Sequence, residues 1–144
     1  MMEGGMKVQA IDHISIAVKS LEKARAMYEG VLGMKVTGQY VMEEKEKIRG
    51  VRYRLGDVVL ELMEATAPDS EVAKFIERRG EGIFVVSYLV ANVGEALKDL
   101  KRQGYKLIDE KPREHQGARY AFTLYPKELG GVLTEIVDEP SRDF

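Results

Sequence analysis

The feature that most constrains the fold of this chain is an internal repeat. Ser15–Val18 matches Ser87–Val90, and Val58–Leu62 matches Val132–Ile136, in the same order within each half of the sequence. The two matches have nearly the same spacing along the chain. A repeat of this kind predicts two structural units of one design, each of which needs the other to cover part of its apolar surface.

The first half has the pattern of a β-α-β-β-β module. A partly alternating strand over residues 8–18 precedes a helix that Ser20 caps and that Gly33 ends. Three strands follow, and Gly56-Asp57 is the turn between the last two. These strands are predicted at Met34–Met42, Ile48–Leu55 and Val58–Glu64.

The second half repeats this pattern. It begins with a strand over Ile83–Val90, and Asn92 caps a helix that ends at Gly104. Between the halves, Asp69 or Ser70 caps a short helix. The remaining strands are predicted at Tyr105–Asp109, Arg119–Tyr125 and Val132–Val137.

The pattern divides the chain into three segments. The first module covers residues 8–65, a linker with the short helix covers residues 66–82, and the second module covers residues 83–138. We therefore predict an α+β fold in which two tandem β-α-β-β-β modules form a curved mixed sheet, a cup, within one compact domain.

Composition excludes several classes of protein. The chain has 144 residues, enough for one domain with a sizeable core, and its formal charge of -2 gives no electrostatic case for nucleic acid. The absence of cysteine excludes disulfides and thiolate metal sites. No apolar run approaches membrane-spanning length, and the first residues lack the apolar core of a signal peptide. We expect a cytoplasmic protein that binds no membrane.

The repeat also identifies candidate functional residues. Equivalent positions on equivalent strands should converge across the predicted cup. The first strands contribute His13 and Val85, and the last strands contribute Glu61 and Glu135. Two histidines and two carboxylates there would form an open-sided divalent metal site with room for water or substrate. This chain supplies His13, Glu61 and Glu135, whereas Val85 cannot ligate a metal.

Several segments resemble the vicinal oxygen chelate superfamily, which includes glyoxalase I, extradiol dioxygenases and bleomycin-resistance proteins. Within it the chain is most similar to the methylmalonyl-CoA epimerase family. The segments that carry this resemblance are Ile11–Ile14, Tyr28–Val36, Glu61–Glu64, Ala73–Ile83, Leu107–Asp109 and Gly130–Leu133. The resemblance implies a glyoxalase-like fold, a homodimer and an acyl-CoA substrate.

The resemblance also implies a reaction. The α-proton of a methylmalonyl thioester is removed on one face and returned on the other through an enediolate. Glu135 resembles the family carboxylate that is both metal ligand and base, and Glu44 is the predicted opposite base, with Glu46 as the fallback. The implied cofactor is a divalent ion (Co, Mn, Ni or Zn) held by His13, Glu61 and Glu135. No other cofactor-binding residues are predicted.

One departure from the family leaves alternatives open. The epimerases carry a His-His pair where this chain has Phe84-Val85. The protein is then either an epimerase that holds its metal weakly through three ligands and water, or a metal-free small-molecule binding protein with a degenerate metal site. A glyoxalase-type lyase is a further alternative. If position 85 faces the site, Val85→His should raise the affinity for metal.

Overall fold

The computed structural model describes residues 6–115 and 117–141. These residues form strands β1 (Ala10–Ala17), β2 (Gly38–Met42), β3 (Ile48–Leu55), β4 (Val58–Ala65), β5 (Gly82–Leu89), β6 (Arg113–His115), β7 (Ala118–Phe122) and β8 (Leu133–Val137). The helices are α1 (Leu21–Arg25), α2 (Glu71–Arg79) and α3 (Val93–Arg102), with a π-helical segment at Ala26–Val31 and a 3-10 turn at Pro126–Leu129. The order β-α-β-β-β occurs twice, as the repeat predicts. No helix in these two ranges is long and apolar enough to cross a membrane.

One structural unit consists of His13–Phe84 together with Ser141. Its strands lie in the order β2-β3-β4-β1, antiparallel except for the parallel pair of β4 with β1. The sheet has an apolar cluster on each face. The cluster beneath α1 contains Val18, Leu21, Val51, Tyr53 and Leu62. The cluster on the opposite face contains Ala17, Ile48, Met63 and Val72, the last from α2.

The other unit consists of residues 6–12 together with Val85–Pro140. Its strands lie in the order β5-β8-β7-β6, again with one parallel pair, β5 with β8. Its core lies beneath α3 and contains Val90, Val93, Ala96, Leu97, Leu100, Leu107, Ala121 and Ile136. Both units thus have the same mixed-sheet plan, which confirms the predicted α+β class. The domain bounds read from the sequence stay a prediction.

All three helices begin at residues that the sequence identified as caps. The side chain of Ser20 accepts a hydrogen bond from Lys23 N, that of Ser70 from Val72 N, and that of Asn92 from Glu95 N. Each bond satisfies a backbone N–H that has no partner within its helix.

Two predicted strands differ from the structure. The strand predicted at Met34–Met42 is confined to Gly38–Met42, because Met34 N donates to Tyr28 O and closes the preceding helical segment. The strand predicted at Tyr105–Asp109 is wrong, since Leu107 makes only an isolated bridge with Leu124.

Backbone hydrogen bonds from Ile108 N to Thr123 O and from Asp109 N to Phe122 O continue beyond Leu107, and the side chain of Asp109 replaces the return bond. Its carboxylate accepts hydrogen bonds from Phe122 N and from the side chain of Arg113. The third element of the second module is instead the short strand Arg113–His115.

Candidate active site

Glu61 lies in the middle of β4, on the sheet face opposite α1, and its side chain is only 6% exposed. The neighbouring strands place Ser15 (β1) and Arg52 (β3) directly beside it in register. The Ser15 hydroxyl donates to Oε1 at 2.7 Å, and Arg52 Nε donates to Oε2 at 2.6 Å. Both oxygens of this buried carboxylate therefore accept hydrogen bonds from side chains of adjacent strands.

The guanidinium of Arg52 is itself held in place by Tyr40. Its central carbon lies 4.8 Å from the centroid of the Tyr40 ring, a cation–π distance. Tyr40 pairs in register with Gly50, and its ring covers that residue. A Cβ at position 50 would lie 2.4 Å from the ring. Glycine at this position therefore allows the ring to lie over β3 and against Arg52.

The charges around Glu61 favour its ionised form. Burial opposes ionisation, but the positive charge of Arg52, the electrostatic influence of His13 and the hydrogen bonds from Ser15 and Arg52 outweigh it, so that the pKa of Glu61 is lowered. Burial, followed by the neighbouring Glu61 carboxylate, raises the pKa of Tyr40, whose hydroxyl keeps its proton at neutral pH. The cluster is an ionised carboxylate paired with a guanidinium beside a neutral phenol.

His13 lies on the same face of the same sheet. It precedes Ser15 by two residues on β1, so the two side chains point the same way, and its partner in register is Val59. The structure thus places two of the predicted metal ligands, His13 and Glu61, on one face of one unit.

The second module repeats this arrangement with a different neighbour beside the glutamate. Glu135 of β8, which is partly buried, has Ser87 of β5 and Phe122 of β7 as its partners in register. Ser87 corresponds to Ser15, but Phe122 stands where the first module has Arg52. The Ser87 side chain is completely buried, and its hydroxyl has no hydrogen-bond partner among the described residues.

Val85 occupies the position equivalent to His13. It pairs in register with Leu133, as His13 pairs with Val59, and it is 6% exposed. The alignment of the two halves, inferred from sequence similarity, is therefore reproduced by the strand register. An apolar pair stands in the second module where the first has a histidine.

The predicted bases lie in an irregular segment. Glu44 and the fallback Glu46 are both exposed, in the turn over residues 43–46 between β2 and β3. Their catalytic role stays a prediction.

The residues as arranged do not fit a divalent metal. No group of three or more histidine, aspartate or glutamate side chains within residues 6–115 and 117–141 could hold one. Glu61 is already paired with a guanidinium at 2.6 Å, and a second cation beside it would be repelled.

Three residues of the site were not predicted from the sequence: Arg52, Tyr40 and Gly50. A signal for Arg52 was present. The two-residue turn Gly56-Asp57 makes Leu55 and Val58 partners, and counting outward from it pairs Arg52 with Glu61. The packing of Tyr40 on Gly50 has no such signal, because it depends on how a ring lies across the neighbouring strand.

A family model described as the Glyoxalase/Bleomycin resistance protein/Dioxygenase superfamily matches residues 12–122. The chain belongs to this superfamily. The match confirms the glyoxalase-like fold that the resemblance implied.

Individual members of the superfamily are similar over most of the chain. "Uncharacterized protein YqjC" of Bacillus subtilis (strain 168) is 38% identical over 133 residues, which are 92% of this chain and 94% of that protein. The mitochondrial methylmalonyl-CoA epimerase of Bos taurus is 32% identical over 127 residues, 88% of this chain and 72% of that protein. A variant of Streptomyces coelicolor methylmalonyl-CoA epimerase, solved with 2-nitronate-propionyl-CoA, is 30% identical with a TM-score of 0.81, and the match covers 94% of this chain and 100% of that one.

Proposed function

We propose that this protein is an epimerase of a short acyl-CoA of the methylmalonyl-CoA type. The observation that carries the proposal is similarity to methylmalonyl-CoA epimerases along nearly the whole chain, in sequence and in fold. The complex of the Streptomyces coelicolor enzyme with a propionyl-CoA derivative supports an acyl-CoA as the ligand. By the same resemblance we propose a homodimer.

The proposed reaction is a 1,1-proton transfer. One carboxylate takes the proton from the carbon between the thioester and the free carboxyl group, and the electron pair of the broken C–H bond moves into the thioester carbonyl to give an enediolate. A proton then returns to the opposite face of the same carbon, and the carbonyl re-forms. Two groups that exchange protons, one on each face, are sufficient for this chemistry.

Glu135 is our candidate for one of these groups. It stands on a central strand of its sheet, in register with Ser87 on β5 and Phe122 on β7, and it resembles the family carboxylate that acts as the base. Glu61, by contrast, is held as an ion pair by Arg52. We propose Glu44 as the opposite base, with Glu46 as the fallback.

The proposal is tested by solvent exchange. Methylmalonyl-CoA incubated with the protein in D₂O should gain one deuterium at the α-carbon, measured by mass spectrometry. Glu135→Gln should slow this exchange by about 10²-fold or more, the usual range for loss of a general base. Glu44→Gln should slow conversion between the two epimers. Glu139→Gln, at an exposed position beyond β8, is the control and should leave both rates unchanged.

An absence of exchange with methylmalonyl-CoA and with ethylmalonyl-CoA would refute the epimerase. Binding of either thioester without exchange would favour the alternative, a metal-free binding protein. Two observations favour this alternative. Glu61 is already ion-paired with Arg52, and the apolar Val85 stands where the epimerases carry a histidine.

A further inference from the structure

The carboxylate of Glu61 already has a cation of its own. Arg52 Nε lies 2.6 Å from Oε2, and the two side chains are only 23% and 6% exposed. We propose that Arg52 is a resident cation that takes the place of a divalent metal at Glu61, so that this protein acts without a metal ion there. The catalytic part of this inference rests on the proposed epimerase function, whereas its metal-binding part does not.

The first argument is that neighbouring residues hold the guanidinium in place. The Tyr40 ring stacks on Arg52, and Gly50 provides the space that this ring occupies. On the far side of Glu61, Ser15 donates to the other carboxylate oxygen. Three residues, one from each of three strands, therefore support one ion pair, which limits the freedom of Arg52 to move aside for a metal.

The second argument comes from an ordinary ion pair on the same two strands. Arg49 and Glu64 are also partners in register on β3 and β4, but they lie on the opposite face of the sheet. The Arg49 side chain is 49% exposed, about twice as exposed as Arg52. This surface pair provides a matched comparison for the buried one.

The third argument is that the arginine is specific to one module. The equivalent neighbour of Glu135 is Phe122, although the serine–glutamate pair occurs in both modules. The cation at Glu61 is therefore not a requirement of the repeated fold. Position 85, where a second histidine ligand would stand, holds the buried apolar residue Val85. The site therefore has one potential metal ligand fewer, and it also has the fixed positive charge of Arg52 beside Glu61.

The test is equilibrium dialysis against Co²⁺ followed by metal analysis, on the full chain. The wild-type protein should retain no stoichiometric Co²⁺. Arg52→Met should bind Co²⁺ on the order of tenfold or more tightly than the wild type, because the competing cation is gone. Arg49→Met removes the same charge from the opposite face and should bind no more than the wild type.

A second variant keeps the test valid if Arg52→Met does not fold with an unpaired buried carboxylate. Arg52→Gln retains an N–H donor for Glu61 without the charge, and it should show the same gain in Co²⁺ affinity. Stoichiometric Co²⁺ in the wild-type protein, or no gain in either Arg52 variant, would overturn the proposal.

Activity supplies a separate readout. Deuterium exchange by the wild-type protein should be unchanged after treatment with EDTA. Exchange that EDTA abolishes and Co²⁺ restores would overturn the resident cation while leaving the epimerase intact. A protein with no exchange under either condition would refute the epimerase, and the dialysis comparison would still decide the role of Arg52.

Discussion

Ser15 and Ser87 hold equivalent positions beside the two glutamates, but their hydroxyls have different surroundings. Ser15 donates to Glu61, whereas the buried Ser87 hydroxyl has no hydrogen-bond partner among the described residues. A hydroxyl that loses its water and gains no partner destabilises the folded state, while a hydrogen bond to a carboxylate stabilises it. The two serines should therefore respond in opposite ways to the same substitution.

We predict that Ser15→Ala lowers the free energy of unfolding by about 1–3 kcal/mol, because it leaves one oxygen of a buried carboxylate without its donor. Ser87→Ala should be neutral or stabilising, since it removes an unpaired hydroxyl and leaves a methyl group in its place. Urea denaturation of the two variants beside the wild type measures both effects. An equal loss of stability in both would mean that Ser87 has a partner in solution, such as a buried water.

At the scale of the element, strand register was the most predictable part of the candidate site. The sequence match already aligned Glu61 with Glu135, and the parallel pairs β1–β4 and β5–β8 reproduce that alignment. The first residues of the helices were equally predictable, because the side chains of Ser70 and Asn92 accept hydrogen bonds from backbone N–H groups that have no partner within the helix.

Other elements could not be read from the sequence. Tyr105–Asp109 has the composition of a strand, but of its residues only Leu107 is fully buried, and the Asp109 carboxylate takes the backbone N–H of Phe122. The stacking of Tyr40 on Arg52 could not be predicted from the sequence either. It joins residues on two strands through a contact that neither periodicity nor turn chemistry indicates.

The π-helical segment Ala26–Val31 provides a pH-dependent contact with β3. Glu29 accepts hydrogen bonds from Arg25 Nε at 2.6 Å and from the Tyr53 hydroxyl at 2.8 Å. The bond from Arg25 is the largest influence and, with that from Tyr53, lowers the pKa of Glu29 against the opposing effect of burial. A carboxyl with a lowered pKa adds stability above its usual value of 4.5, and this stability is lost as the pH falls through the folded-state pKa.

We therefore predict that Glu29→Gln lowers the free energy of unfolding at about pH 7 by about 1 kcal/mol or less, since the pair with Arg25 is partly exposed. The difference from the wild type should shrink as the pH falls below the usual carboxyl value of 4.5 and through the lowered pKa of Glu29, where the wild-type carboxyl takes up its proton. Urea denaturation across this range tests the sign. A difference that stays constant with pH would show that the charge of Glu29 contributes nothing.

For the whole molecule, the two units have the same plan but not the same chemistry. Each has one parallel and two antiparallel strand pairs and one serine–glutamate pair on the face away from its first helix. Their separate apolar clusters explain why the repeat could be found in the sequence. Val18 and Leu62 of the first half correspond to Val90 and Ile136 of the second half, and all four belong to these clusters. On the opposite face the serine and the glutamate recur, whereas Arg52 and Phe122 differ.

Assembly is the prediction that belongs to this scale. We expect sedimentation velocity to give twice the mass of one chain, as the resemblance to the superfamily implies. A dilution series is the control, because a dimer held by specific contacts keeps its mass until the concentration falls near its dissociation constant. The mass of a single chain at every concentration would contradict the homodimer.

The difference between Arg52 and Phe122 has an evolutionary consequence. A tandem duplication begins with two identical copies, so both glutamates would first have had the same neighbour. Because Glu61 has its neighbour on β3 and Glu135 has its neighbour on β7, a single codon change on β3 can alter the surroundings of one glutamate and leave the other as it was. Ancestral reconstruction of position 52 would date when the two carboxylates of this protein began to diverge.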